Sequence, residues 1–151
     1  MPLHVDAEAR VKANLDAVRR GDKPAMKVIG ELTQKQFDEI NAVNDQHNQP
    51  HLGSREVVYI GRHHYGSRHA DGYSIHDMWL QVESSLSELS VVSGNAKMTR
   101  MQNPVPRADG YNNAVRDMAV FELTQRKPRA ELYSAIPKGD KNTPNNAKSP
   151  P

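Results

Sequence analysis

Four of the chain's seven histidines fall in one short region, Arg62-His63-His64-Tyr65-Gly66-Ser67-Arg68-His69 followed by His76. Histidine gives and takes protons near neutral pH, and arginine is a permanently charged fork that fits phosphate oxygens. With a serine and tyrosines beside them, these residue types suit acid–base chemistry on an anionic substrate. On a helical turn His64 and Arg68 share a face, as do His63 and Ser67. A guanidinium next to an imidazole disfavours its protonated form, so a neutral His64 able to accept a proton is expected. His69, near Asp71, is expected to stay protonated and donate one. A base, an acid and an arginine for developing charge are what metal-free cleavage of RNA needs, since the ribose 2′-hydroxyl supplies the nucleophile.

A metal site competes for the same residues. His63, His64, His69, Asp71, His76 and Asp77 offer nitrogen and oxygen ligands, but their spacing fits no short metal motif, and Arg62 and Arg68 oppose a cation. No metal and no cofactor are therefore expected. Farther along, Arg116, Arg126, Lys127, Arg129 and Lys138 could contact phosphate, and Thr124 or Ser134 could donate a hydrogen bond there. Alternation puts Ser134 on one strand face with Leu132 and Ile136, so it is expected to be semi-buried. Tyr65 and Tyr133 could stack on bases, although only 5% of residues are aromatic, too few for a broad stacking platform.

These residues need elements to position them. Asp6 opens a helix over 7–20, with Val11, Leu15 and Val18 on one stripe and Gly21 as terminator. Thr33 and Gln36 form a capping box for a second helix that fails near Asn44. Glu56 to Ile60 is β-branched and aromatic and reads as a short strand. Ser74 and Asp77 resemble another capping box, ahead of an apolar face of Ile75, Met78, Trp79, Val82, Leu86 and Leu89, with Gly94 as its latest end. Thereafter the period becomes extended. Strands are expected over 98–102, 117–124 and 131–136, the last two joined by a connection at Arg126-Lys127-Pro128-Arg129. The residues 103–114 read as a turn-rich loop.

Helices followed by an antiparallel meander define an α+β class, with three to four strands and helices on one face. The expected organisation is a helical extension over 1–54, a domain over 55–138, and a disordered tail over 139–151 rich in Pro, Asn and Lys. Neither a Walker nor a dinucleotide glycine loop occurs.

The 151 residues suffice for one domain, and a mean hydropathy of −0.78 describes a polar chain with a small core. No apolar run approaches a membrane span, and acidic residues interrupt the N-terminus where a secretory signal would be apolar. Without cysteine there are no disulfides, thiolate metal sites or cysteine nucleophiles, and a cytoplasmic location in a bacterial host is the expectation. Net charge is only +2, yet residues 97–138 carry eight bases against four acids, while residues 1–50 are close to neutral. Such asymmetry is what an anion-binding face produces.

The order of parts resembles the barnase–EndoU–colicin–RelE-like ribonuclease superfamily, most of all its phage-borne branches. It rests on an extended segment, a His-x-x-x-Arg turn from His64 to Arg68, an amphipathic helix and a curved antiparallel sheet. The segments Tyr59-Ile60-Gly61-Arg62-His63-His64-Tyr65, Asp71-Gly72-Tyr73-Ser74-Ile75 and Asn103-Pro104-Val105-Pro106-Arg107-Ala108-Asp109 are also similar to small proteins of proteobacterial prophages. The likeness spans about residues 56–138. It implies helices on one face of a four-stranded sheet and metal-independent RNA cleavage. His64, Arg68 and Ser134 would match that superfamily's helix-borne histidine and arginine and its strand hydroxyl, with Arg116 as a weaker match.

The functional expectation is thus a toxin-like ribonuclease of phage or prophage origin. Its catalytic residues would be His64, Arg68, His69 and Ser134, and His63, Arg116, Arg129 and Lys138 would bind RNA. A protein inhibitor is a further expected partner; a membrane is not. The alternative is a non-catalytic phage protein that binds a host or virion protein through the same patch.

Overall fold

A computed structural model describes residues 1–124 and 128–139. Among these, four helices and seven strands alternate in the order α1 (Ala7–Arg19), β1 (Lys27–Glu31), α2 (Gln34–Gln46), β2 (Glu56–Tyr59), α3 (Arg62–Ala70), α4 (Ile75–Ser85), β3 (Val91–Gly94), β4 (Thr99–Gln102), β5 (Arg107–Ala108), β6 (Ala114–Leu123) and β7 (Ala130–Gly139). The strands form one sheet in the order β1-β2-β7-β6-β4-β3, with β5 added to β6. The α+β class stands, but the sheet is larger than three to four strands and is mixed. β2 runs parallel to β7 through Val57–Ala130 and Tyr59–Leu132. A parallel pair requires a long connection, and everything from α3 to β6 supplies it.

Local chemistry fixes the helix starts. In α2 the Thr33 hydroxyl accepts from the Gln36 N–H while the Gln36 side chain accepts from the Thr33 N–H. Ser74 and Asp77 do the same at α4. Each box satisfies two of the N–H groups that a helix start leaves unpaired. At α1, Asp6 holds the cap position but its carboxylate pairs with Arg10 at 2.9 Å instead of capping backbone. α4 stops at Ser85, so Leu89 lies past the helix and is exposed.

Val11 and Leu15 of α1, Ile40 of α2, and Met78, Trp79 and Val82 of α4 all join one core cluster. Facing them are Ile29, Val57, Tyr59, Met101, Ala119, Phe121, Leu132 and Ala135 of the sheet. The segment expected to be a helical extension therefore contributes α1 to this core and β1 to the sheet. β6 alternates as expected, with Ala119 and Phe121 inward and Met118 and Val120 outward.

The face of Ser134 is corrected. Ser134 pairs with Val120 and Leu132 with Phe121, so Tyr133 is an extra residue in a β-bulge. The bulge leaves Leu132 in the core and turns Ser134 and Ile136 to the opposite, helix-free face. β7 also runs on through Pro137 and Lys138 to Gly139, past the expected stop. Beyond Leu132 it pairs with β6 alone, which leaves room for a residue without an N–H. Arg107 forks onto the fully buried Asp117 and fastens β5 to β6. Of the connection between β6 and β7, Arg126 and Lys127 lie outside the described residues, as does the tail over 140–151.

Candidate active site

α3 is nine residues long and starts from Gly61, whose φ of +95° is open to glycine at low cost. A Cβ on Gly61 would also lie 2.8 Å from the Tyr59 ring. This tight entry lays one face of α3 onto β7 and α4. That face is His64 and Arg68, four residues apart, and both are buried.

His64 is fully buried and sits between two partners. Its Nδ1 lies 2.7 Å from the Tyr59 hydroxyl and its Nε2 3.0 Å from Gln81 Oε1. With Gln81 Oε1 able only to accept, Nε2 carries the proton and Nδ1 accepts from Tyr59. Burial, aided by the nearby charge of Arg68, pushes the imidazole down to about 4. The neutral state expected from the sequence is thus reached chiefly through desolvation, in a side chain closed to solvent. Arg68 is 8% exposed; it pairs with Asp71 at 3.3 Å and reaches the Ala135 carbonyl at 3.5 Å. Asp71 is therefore engaged by Arg68. His69 is exposed and stacks on Tyr65, with ring centroids 5.0 Å apart.

The next residue along the helix behaves differently. His63 is exposed at the rim of the helix-free sheet face, where its ring stacks on Tyr133 at 4.0 Å and 16°. This stacked pair separates two cavities. One, of about 420 Å³, is lined by Arg100, Met118, Val120, Ser134 and Lys138 as well as by the two rings. The other, of about 480 Å³, has Lys23, Arg62 and Glu131 around the same rings. Both volumes lie within the range that holds small-molecule ligands.

Charge and hydrogen bonding distinguish this face from ordinary surface. Ser134 is 3% exposed, and its Oγ has no hydrogen-bond partner among the described residues. A buried hydroxyl without a partner is costly, and a ligand in the cavity it lines would relieve it. Neither Arg100 nor Lys138 is ion-paired among the described residues, and Arg116 stands opposite Lys138 in register. Glu131 is directly opposite Glu122 across β6 and β7; burial first, and then that like charge, raise its carboxyl above the usual range.

Among the sequence candidates, the structure brings His63, Ser134 and Lys138 to one cavity, with Arg116 beside Lys138. It places His64 and Arg68 beneath the sheet and His69 on a separate surface. Arg129 turns away to Glu56, 3.7 Å, and to the Met26 sulfur. Arg100, Tyr133 and Glu131 complete the face. Arg100 was legible as the outward residue between Thr99 and Met101, whereas the Glu122–Glu131 pairing follows only from the strand register. No group of three His, Asp or Glu among the described residues is placed to hold a metal ion. No helix there is long and apolar enough to cross a membrane.

No family model matches the chain, and no curated protein or solved structure shows significant similarity to it.

Proposed function

We propose that the helix-free sheet face is an RNA-cleaving site of the kind expected for a phage or prophage ribonuclease, with His63 in the role assigned from sequence to His64. The supporting observation is the cavity that joins an unpartnered, buried Ser134 hydroxyl to Arg100, Lys138 and His63. In this reading His63 takes the proton of the ribose 2′-hydroxyl as that oxygen attacks phosphorus, and the departing 5′-oxygen takes its proton from solvent in the open cavity. Arg100 and Lys138 bind the phosphate and its added charge, with Ser134 donating to one phosphate oxygen. Tyr133 holds the His63 ring in place and offers a stacking surface. His64, Tyr59, Gln81 and Arg68 then serve to seat α3 so that His63 reaches the rim.

The test is cleavage of labelled RNA by the full chain in excess chelator. The wild type and His64→Gln are expected to cut, and His63→Ala to lose activity by about 100-fold or more, the usual worth of a positioned base. Activity that survives in His63→Ala removes the assignment. An inert wild type removes the enzyme and favours the non-catalytic, protein-binding alternative.

A further inference from the structure

The two ends of the sheet are finished differently. At β1 the outer edge is covered by residues 2–4. The Leu3 and Gly30 backbones bridge, the His4 N–H donates to the Ile29 carbonyl at 3.0 Å, and the Glu31 N–H donates to the Pro2 carbonyl at 3.2 Å. The register with β2 also shifts between Val28 and Gly30, a further device that blunts an edge. β3 closes the other end with none of these. Val91-Val92-Ser93-Gly94 holds no charge and no proline, and its register with β4 is unbroken. Val91 is 61% exposed, and Leu89, just ahead of the strand, 63%.

The pairing with β4 decides which backbone groups of β3 are free. The Asn95 N–H donates to the Met98 carbonyl at 3.0 Å, so these two residues form a hydrogen-bonded pair. Such pairs alternate along an antiparallel ladder, and Ser93 with Arg100 and Val91 with Gln102 are therefore bonded likewise. Val92 and Gly94 aim their N–H and C=O groups away from β4, where no group among the described residues bonds to them. Glu88 before the strand and Lys97 after it, both exposed, bracket β3 with opposite charges.

We infer that β3 is a docking edge for a second copy of this chain, which adds its own β3 antiparallel. A strand with one free edge and opposite charges at its two ends is complementary to itself when reversed. Val92 of each copy lies opposite Gly94 of the other, closing four N–H···O bonds about a two-fold axis at Ser93. Each Glu88 comes beside the other copy's Lys97. With β1 covered, no second end of the sheet is open to further copies, and the assembly closes at two. The shared edge is short, so association falls at the weak end of specific interfaces, with micromolar dissociation. Both copies keep the helix-free face on the same side. Because Ser93 pairs with Arg100, the two Arg100 residues stand three strand spacings, about 14 Å, apart on a joint face. Dimer formation does not depend on whether that face cuts RNA.

The test is sedimentation velocity of the full chain from about 10 µM to 1 mM. The wild type is expected to pass from monomer to dimer over that range and no further. Ser93→Lys, at an exposed position, sets two ammonium groups face to face and should weaken the dimer about tenfold or more with Tm unchanged. Glu88→Lys should weaken it also, and Glu88→Lys combined with Lys97→Glu should restore it. Opposed residues of a non-bonded pair have Cα atoms about 4.5 Å apart, within disulfide reach, and the chain has no cysteine of its own. With an added thiol oxidant, Ser93→Cys should therefore give a cross-linked dimer, whereas Ala70→Cys, exposed at the end of α3, should not. A chain that stays monomeric at the highest concentration, a dimer that survives Ser93→Lys, or equal cross-linking from both positions overturns the edge. A mass that keeps growing with concentration overturns its closure at two.

Discussion

His63 and His64 are neighbours on α3, yet one stacks on Tyr133 at the rim of the sheet while the other is sealed between Tyr59 and Gln81. A helix turns about 100° per residue, so one step is enough to exchange core for surface. The buried member belongs to a packed set, Tyr59, Gln81 and, through the shared helix face, Arg68 with Asp71, in which Gln81 Nε2 and Arg68 Nε are left without a partner among the described residues. The exposed member belongs to a set with unmet bonding capacity, namely Ser134, Arg100 and Lys138. Both sets leave bonding capacity unmet; the difference is access, since Ser134 lines an open cavity whereas Gln81 and His64 are closed to solvent.

Substitutions should separate the two sets. His64→Ala opens a cavity and strips partners from Tyr59 and Gln81, and is expected to cost roughly 3–5 kcal/mol in a denaturant melt. His63→Ala should leave that melt unchanged to within about 0.5 kcal/mol. Equal losses in both variants would erase the contrast.

Acid should reach the buried set next. The unfolded chain binds a proton on His64 near pH 6.5, and the folded protein does so only at about 4. Unfolding therefore takes up a proton within that window. Stability is intact above pH 6.5, declines as pH falls, and has lost about 3 kcal/mol from this group by pH 4. Melts from pH 7 to 4 check this, and His64→Gln should flatten the dependence over that range.

Salt should report on the open set. If Arg100 and Lys138 each neutralise one phosphate, Arg100→Ala and Lys138→Ala each reduce the slope of log affinity for RNA against log salt by about one. Arg129→Ala, directed at Glu56 instead, should not change the slope. The smallest effect is expected at a helix start outside both sets. Thr33→Ala removes the α2 cap and should lower stability by about 1 kcal/mol without altering the salt slope.

The parts of this arrangement that were legible in the sequence are those decided within a few residues. The Thr33–Gln36 and Ser74–Asp77 boxes and the alternation of 117–124 need no distant partner to be recognised. β1 was missed because Lys27-Val28-Ile29-Gly30-Glu31 is short and broken by glycine, and becomes a strand through pairing with β2. β3 was read as a continuation of α4 because Leu86 and Leu89 keep helical spacing; Val91–Gly94 is settled by its four pairings with β4. The site depended on the same kind of information. Alternation alone put Ser134 with Leu132, and the single extra residue at Tyr133 reversed that. Choosing between His63 and His64 required the entry angle of α3, which Gly61 and Tyr59 set together.

The position of β7 has a consequence for how the molecule assembles. Although it is the last strand described along the chain, it lies in the middle of the sheet between β2 and β6. Until it docks, β1 with β2 and β3 with β4, β5 and β6 are two ribbons with no backbone bonds in common. Closing contacts so far apart in sequence is slow, and the waiting edges of β2 and β6 are sticky. Glu131, Tyr133, Ser134 and Lys138 all ride on this strand. A nascent chain that has emerged only as far as β6 is therefore both aggregation-prone and without Tyr133, Ser134 and Lys138, which the completed sheet gains in a single event.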